Sequence, residues 1–320
     1  MKGYLLRRLA YLLPVLVGIS LLSFGLGRLA PGDPARDLLA RTTGRQPTQR
    51  EVVAERHRLG LDRPLPAQYV SWLGDTLRGR LGVSYTTGEP VAAAVGRTLP
   101  ITLELAGAAL VLAVGIGIPL GVLAVARRHT WIDHLVRLLT LIAASVPAFW
   151  LGYLLILLFA VRLHVFPSFG AGGLRHLVLP ALTLAVFDLA MLARLARATM
   201  LETLGEDYIR TARAKGLSER RLLRRHVLRT ALVPLVTWIG ITFGYLLGYS
   251  VVVETVFAWP GLGYTAVQAI QARDYPFMQA FALLMGLVFV GLNLAVDLLY
   301  PWIDPRIRLG QKSAADGAGA

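Results

Sequence analysis

The sequence predicts an all-α integral membrane protein with six transmembrane helices and both ends on the cytoplasmic side. Three observations carry that prediction. Only 16% of the 320 residues are charged and 55% are hydrophobic, at a mean hydropathy of +0.59, whereas a soluble domain carries about 25% charge. The apolar residues gather in uninterrupted runs of about 20 residues or more, the length of a bilayer span. The remaining charge is lopsided, with 33 Lys plus Arg against 19 Asp plus Glu and a net charge of +14. In a membrane chain that excess points to the cytoplasmic bias that sets orientation, and not to nucleic acid.

The first run, Leu9–Leu29, follows Arg7 and Arg8. At about 20 residues it is longer than the apolar core of a signal peptide, and Arg28 and Leu29 before Ala30 leave no small-residue cleavage site. It reads as an uncleaved helix entered from the cytoplasm. The polar stretch Pro31–Arg97 holds 10 Arg and 7 acids, with turn sequences such as Pro31-Gly32-Asp33-Pro34 and Arg63-Pro64-Leu65-Pro66, and reads as a small extracytoplasmic segment. Further spans are expected over Leu99–Ala126, Val136–Val161, Leu177–Met200, Ala231–Phe257 and Phe277–Tyr300. Six spans from a cytoplasmic start return the C-terminus to the cytoplasm. The charges agree. Met1–Arg8 (+3), Arg127–Arg137 (+2), Arg194–Arg229 (+6) and Asp304–Asp316 (+1) together carry +12 of the net +14. The outside segment is +3, but segments beyond about 60 residues are largely exempt from the rule. Pro119, Pro147 and Pro180 sit within or at the edges of spans, as packing kinks or beside a water-lined path. The tail Ser313–Ala320 is expected to be disordered.

Several chemistries are excluded. With no Cys, the chain has no disulfide, thiolate metal site or Cys nucleophile. A P-loop needs Gly-x4-Gly-Lys-Ser/Thr to cradle phosphates, yet Lys2, Lys215 and Lys312 are the only lysines and none follows a glycine. The six histidines, His57, His129, His134, His164, His176 and His226, form no His-Glu-x-x-His pair, so no metal site is expected; His129 and His134 suit headgroup contact. A Gly-x-Ser-x-Gly elbow is also missing. The chain is therefore not expected to be an enzyme.

Ionisable groups at membrane depth are functional candidates by default. Glu104 and Glu254 fall about a turn from span ends, where water or headgroups can solvate them. Asp188 lies nearer a span centre, either lining a translocation path or paired with another helix or subunit. Asp297, near the cytoplasmic end of the last span, suits a structural partner. A proton-coupled secondary transporter would use such acids as relays, Asp188 first among them, and is the competing function class.

The polar interruption between spans four and five, Glu202–Thr230, is longer than a connector needs. Ile209-Arg210-Thr211-Ala212-Arg213-Ala214-Lys215 is helix-forming and ends at Gly216, a natural stop. Ser218 then caps a second helix with Glu219 in its first turn and an apolar stripe of Leu222, Leu223 and Val227. Two short helices around a glycine bend result. Ala212 and Ala214 allow close approach, and Arg213, Lys215, Arg220, Arg221, Arg224 and Arg225 form a charged rim. The shape suits a knob docking into another protein; a basic loop on anionic lipid is the plainer reading.

This loop, Asp207 through Arg210, Thr211, Ala212, Gly216, Leu217 and Ser218, resembles the "EAA" coupling loop of ABC-transporter permeases in the form found in dipeptide/oligopeptide importers. Against the general pattern Glu-Ala-Ala-x3-Gly the first two positions depart, so the glutamate contact described for other branches does not carry over to Arg210. The resemblance spans about residues 1–309. It includes Pro31-Gly32-Asp33-Pro34, Leu59–Pro66, Leu81-Gly82-Val83-Ser84, Thr98–Leu105, Glu254-Thr255-Val256-Phe257-Ala258-Trp259-Pro260-Gly261-Leu262-Gly263, Arg273-Asp274-Tyr275 and Asp304-Pro305-Arg306-Ile307-Arg308. Arg80 stands where the pattern has an acid.

The resemblance implies a type I ABC importer permease fold in the bacterial plasma (inner) membrane. Its expected parts are an N-terminal helix (1–30), an extracytoplasmic segment (31–98), a five-helix core (99–309) with the coupling loop at about 201–230, and a tail (310–320). It also implies partners: a second homologous permease, two ATP-binding cassette subunits that bind the ATP and Mg this chain does not, and an extracytoplasmic solute-binding protein. The implied cargo is a dipeptide or oligopeptide. Asp188 and Glu254 are candidates for the path, and Trp259, Pro260, Gly261 and Gly263 for the face that receives the binding protein. Trp259 is equally suited to an interfacial anchor.

Overall fold

The computed structural model describes residues 2–29 and 32–303, with side chains described for 11–28 and 32–295. Pro31, the Asp297 side chain, the terminal Asp304–Arg308 string and the expected Ser313–Ala320 tail lie outside the described residues. Among those described, the regular elements are all helices, with a single isolated β-bridge between Val83 and Pro90. It divides into two units, one of Met1–Ile101 and Pro260–Val290, the other of Thr102–Trp259 and Gly291–Ala320.

In the first unit, α1 (Lys2–Leu29) is followed by three short helices, α2 (Pro34–Thr43), α3 (Gln49–Arg58) and α4 (Leu65–Leu77). Their boundaries follow from local chemistry. Asp33 caps α2 by accepting from the Ala35 N–H, Pro34 takes the first helical position, and Gly44 closes the helix at φ 66°. Thr48 and Glu51 form a reciprocal capping box at the start of α3. Arg45 and Thr48 hold the Glu51 carboxyl down from 4.5 to about 2. Helix α4 docks on α1 through Phe24, whose ring meets Tyr69 edge-on at 5.5 Å, and through Ser20 and Tyr69 hydroxyls 2.7 Å apart.

The unit's core joins the start of α5 (Val91–Ala126) to α12 (Leu262–Gln271) and α13 (Tyr275–Ile303). Val91, Ala94, Val95, Leu262, Ala266 and Phe277 are among its buried residues. Buried Asp274 secures the strap before α5, accepting from the Ser84 hydroxyl and, at 3.1 Å, the Tyr85 N–H.

The second unit is built around α8 (Leu174–Leu204), which packs against α6 (Trp131–Ser145), α7 (Ala148–Leu155) and α11 (Leu228–Val256). Helix α5 approaches α8 backbone to backbone. A Cβ on Gly117 would lie 2.6 Å from the Leu189 carbonyl, and one on Gly121 2.6 Å from the Ala193 carbonyl. The small-x-x-x-small spacing of these glycines is what permits so close a seam.

Among the described residues, five helices are long and apolar enough to cross a membrane, and a bent pair makes up to six. The third expected span, Val136–Val161, is not one rod. Helix α6 ends at Ser145, and the segment Ala148–Arg162, α7 continued by a π-helical stretch from Ile156, leaves it at 104°. Pro147 explains the break: it lacks the N–H that would bond back into α6, and it forces Val146 into an extended conformation, φ −85°, ψ 124°.

Candidate functional site

After α8 the chain turns at Gly205 into α9 (Asp207–Ala214), bends, and re-enters through α10 (Glu219–Leu222) and a π-helical turn, Leu223–Val227, that feeds α11. The bend is set by Gly216 at φ 81°, its N–H donating to the Arg213 carbonyl at 2.9 Å. No atom lies within 4 Å of where a Gly216 Cβ would be, so glycine is needed for its backbone and not for space. Ser218 occupies the N-cap position in extended conformation, but the expected side-chain cap is absent. The single turn of α10 is held instead by the Leu222 N–H bonding the Ser218 carbonyl at 2.9 Å and by burial of Leu222.

The hairpin has a buried root and an exposed tip. Ile209, Leu222 and Val227 are fully buried with Val125, Met200 and Ala231; Leu223, expected on the same stripe, is only partly covered. Arg210, Thr211, Arg213, Ala214, Lys215, Gly216, Ser218, Glu219, Arg220 and Arg221 are exposed, and Ala212 and Leu217 half-buried. Arg213 pairs with Glu219 across the bend at 2.6 Å, and Arg210 with Asp207 at 3.3 Å. Lys215, Arg220 and Arg221 have no ion-pair partner among the described residues. The tip therefore offers uncompensated positive charge around a small-residue centre, on a base fixed by core packing.

The carboxylates separate into distinct environments. Glu104 is exposed, as its place near a span end suggests. Glu254 is not solvated as expected: it is 0% exposed. Its carboxylate accepts from the Thr102 hydroxyl at 2.8 Å and the Ser250 hydroxyl at 3.0 Å, tying α5 to α11. A span-end position suggested water, but the packing of α11 against its neighbours supplies protein instead. Asp188, half-buried in α8, lines a cavity of about 220 Å³ between α8, α11 and the α6–α7 break. The structure does not bring Asp188 and Glu254 to one another's hydrogen-bond reach.

Trp259 is buried at 2% exposure, so it serves neither as an exposed receiving surface nor as an interfacial anchor on this chain. Its N–H bonds the Glu254 carbonyl at 2.8 Å, past Ala258 held at φ 45°. Of the other receiving-face candidates, Pro260 is exposed, and Gly261 and Gly263 are buried.

One pair escaped sequence reasoning. Arg197 of α8 clamps Asp133 of α6 with two bonds, 2.8 and 2.9 Å, with the Asp133 side chain only 4% exposed. Sixty-four positions separate the two, and no local pattern joins them.

Residues 117–309 match the family described as binding-protein-dependent transport system inner membrane component, and residues 1–106 match its N-terminal companion, binding-protein-dependent transport system membrane component. The chain is 42% identical over 308 residues to the glutathione transport system permease protein GsiC of Escherichia coli O6:H1, covering 96% of this chain and 99% of that protein. It is 43% identical over 325 residues to a protein of Escherichia coli K12 named "Probable D,D-dipeptide transport system permease protein DdpB", with 92% of this chain and 94% of that protein covered. Among solved structures, the inward-facing MetNI methionine ABC transporter matches with a TM-score of 0.57 and 25% identity, over 68% of this chain and 99% of that chain. The architecture is thus that of a type I ABC importer permease. The chain belongs to the inner-membrane components of binding-protein-dependent transport systems, as a multi-pass protein of the bacterial inner membrane.

Proposed function

We propose that this chain is a permease subunit of an ATP-driven importer of small peptides, forming the path together with a second permease. The observation that carries the coupling role is the hairpin: a small-residue, cationic tip around Ala212–Gly216, exposed except at half-buried Ala212, on a fully buried root, in a chain with no P-loop of its own. Energy must then come from partners. Two ATPase subunits, binding ATP and Mg, receive the tip in a surface cleft, and their closure moves the hairpin with the ends of α8 and α11 as a rigid body. Nucleotide drives this only through its different affinity for the two conformations. An extracytoplasmic binding protein delivers the cargo. Peptide as the cargo class rests on the relatives, whose names specify peptide, D,D-dipeptide and glutathione.

Co-purification of the permease with its ATPase subunits tests this reading, together with peptide uptake by the reconstituted assembly. Wild-type chain retains the ATPases and imports peptide when ATP is supplied, and Ala212→Arg loses both. Peptide uptake driven by a pH gradient without ATPase subunits would replace the proposal with the proton-coupled reading centred on Asp188.

A further inference from the structure

Position 188 lies at the middle of the 31-residue α8. A charge at such depth is costly unless it meets a partner or water. Among the described residues, the Asp188 carboxylate has neither a hydrogen-bond donor nor a cation within ion-pairing reach, unlike the doubly bonded Glu254. Nearby arginines on the same helix are committed elsewhere: Arg197 to Asp133, and Arg194 to the sulfur of Met191. What Asp188 meets instead is a cavity of about 220 Å³, far above the roughly 30 Å³ share of one liquid water. Its other walls are largely apolar, with Val146, Pro147, Leu184, Phe187, Leu246 and Tyr249 among them. Thr183, also at the wall, spends its hydroxyl on the Leu179 carbonyl. The α6–α7 break forms one side, and irregular backbone at membrane depth is tolerated where it lines such a cavity.

A single carboxylate in an apolar, aromatic chamber is poorly matched to a divalent metal, which takes six or more oxygen ligands or a shell of ordered water. It matches one organic cation attached to an apolar body. Phe187 and Tyr249 add the aromatic surface that favours an ammonium. We infer that Asp188 receives the α-ammonium group of a peptide during its passage, a recognition that depends on no particular side chain because every unblocked peptide carries that group. This rests on the peptide-importer reading above. The carboxylate stands without a partner in the resting chain and gains one only while cargo is present.

The test uses the complete importer in proteoliposomes, supplied with saturating binding protein loaded with radiolabelled dialanine or N-acetyl-dialanine, each normalised to the amount bound. Asp188→Asn removes the charge and Asp188→Glu keeps it; the thermal unfolding midpoint and ATPase retention of each verify folding and assembly. The wild type is expected to transport the free dipeptide faster than the acetylated one. Asp188→Asn slows the free dipeptide about tenfold or more, the scale of one charged hydrogen bond, and erases the difference. Asp188→Glu restores it. Unchanged transport by Asp188→Asn, or equal loss for both cargoes, overturns the proposal while leaving the importer reading intact. No ATP-driven peptide uptake by the wild type would refute that reading and this one with it. Loss of a pH-gradient-driven uptake in Asp188→Asn would make the group a proton relay.

Discussion

Valine at position 216 tests the hairpin most directly. Gly216 sits at φ 81° with open space where a Cβ would go, so the penalty is conformational only. A non-glycine residue in this region costs about 1–2 kcal/mol, with β-branched residues at the upper end and asparagine well below it. At about 2 kcal/mol, the bent tip loses about 30-fold against unbent alternatives, since 1.4 kcal/mol is tenfold. The root is untouched, because Ile209, Leu222 and Val227 remain buried, so the protein still inserts. In the reconstituted complex, binding-protein-stimulated ATPase activity and uptake are expected to fall by up to about 30-fold in Gly216→Val. Gly216→Ala should be intermediate and Gly216→Asn close to wild type. Full coupling in Gly216→Val refutes the reasoning, and so does a Gly216→Asn variant as damaged as Gly216→Val, because the penalty would then not be a backbone one.

Other consequences follow from the same geometry. Asp133→Asn strands the quarter-exposed Arg197 and is expected to cost about 3 kcal/mol, the low end for a broken buried pair, read as a lower unfolding midpoint in detergent. Gly121→Val drives its side chain into the Ala193 carbonyl and the Ala196 Cβ at 2.7 Å, costing about 1–3 kcal/mol. Gly115→Ala, which meets no atom within 4 Å and removes glycine's helix penalty of about 0.5–1 kcal/mol, is expected to hold or slightly raise the same midpoint. In the segment between α1 and α5, Glu51 has its pKa lowered in the folded chain, so its contribution is complete above pH 4.5 and disappears as the pH falls through about 2. Hydrogen exchange at the first turn of α3 should accelerate over that window, and in Glu51→Gln the acceleration should be absent.

What was legible in the sequence is what is local in the chain. Spans announce themselves by contiguous apolar residues, and the hairpin by Gly216, Ser218 and the stripe of Leu222 and Val227. The caps at Asp33 and Thr48 are equally local, yet Asp33 is read only as part of a turn sequence and Thr48 is not read at all. The other misses are relations between distant positions. Thr102 and Glu254 are 152 residues apart, and only tertiary packing reveals that the carboxylate near a span end is buried and bonded. Trp259 looked like a surface aromatic because composition cannot tell an anchor from a core residue. Pro147 is read as a packing kink or a path marker within one span, and the 104° break it makes is fixed by what each limb packs against.

That break bears on how the chain enters the membrane. Each limb has 15 residues, about 22 Å of helix at 1.5 Å per residue, against a hydrocarbon thickness of about 30 Å. Neither limb is long enough to be retained by the bilayer as an independent stop-transfer segment. The Arg197 clamp on Asp133 and the packing of α7 on α8 supply the missing hold, and both come from sequence synthesised afterwards. Stable membrane retention of this region is therefore expected to depend on α8: nascent chains stalled before α8 emerges should leave it more extractable by alkali than chains in which α8 has followed.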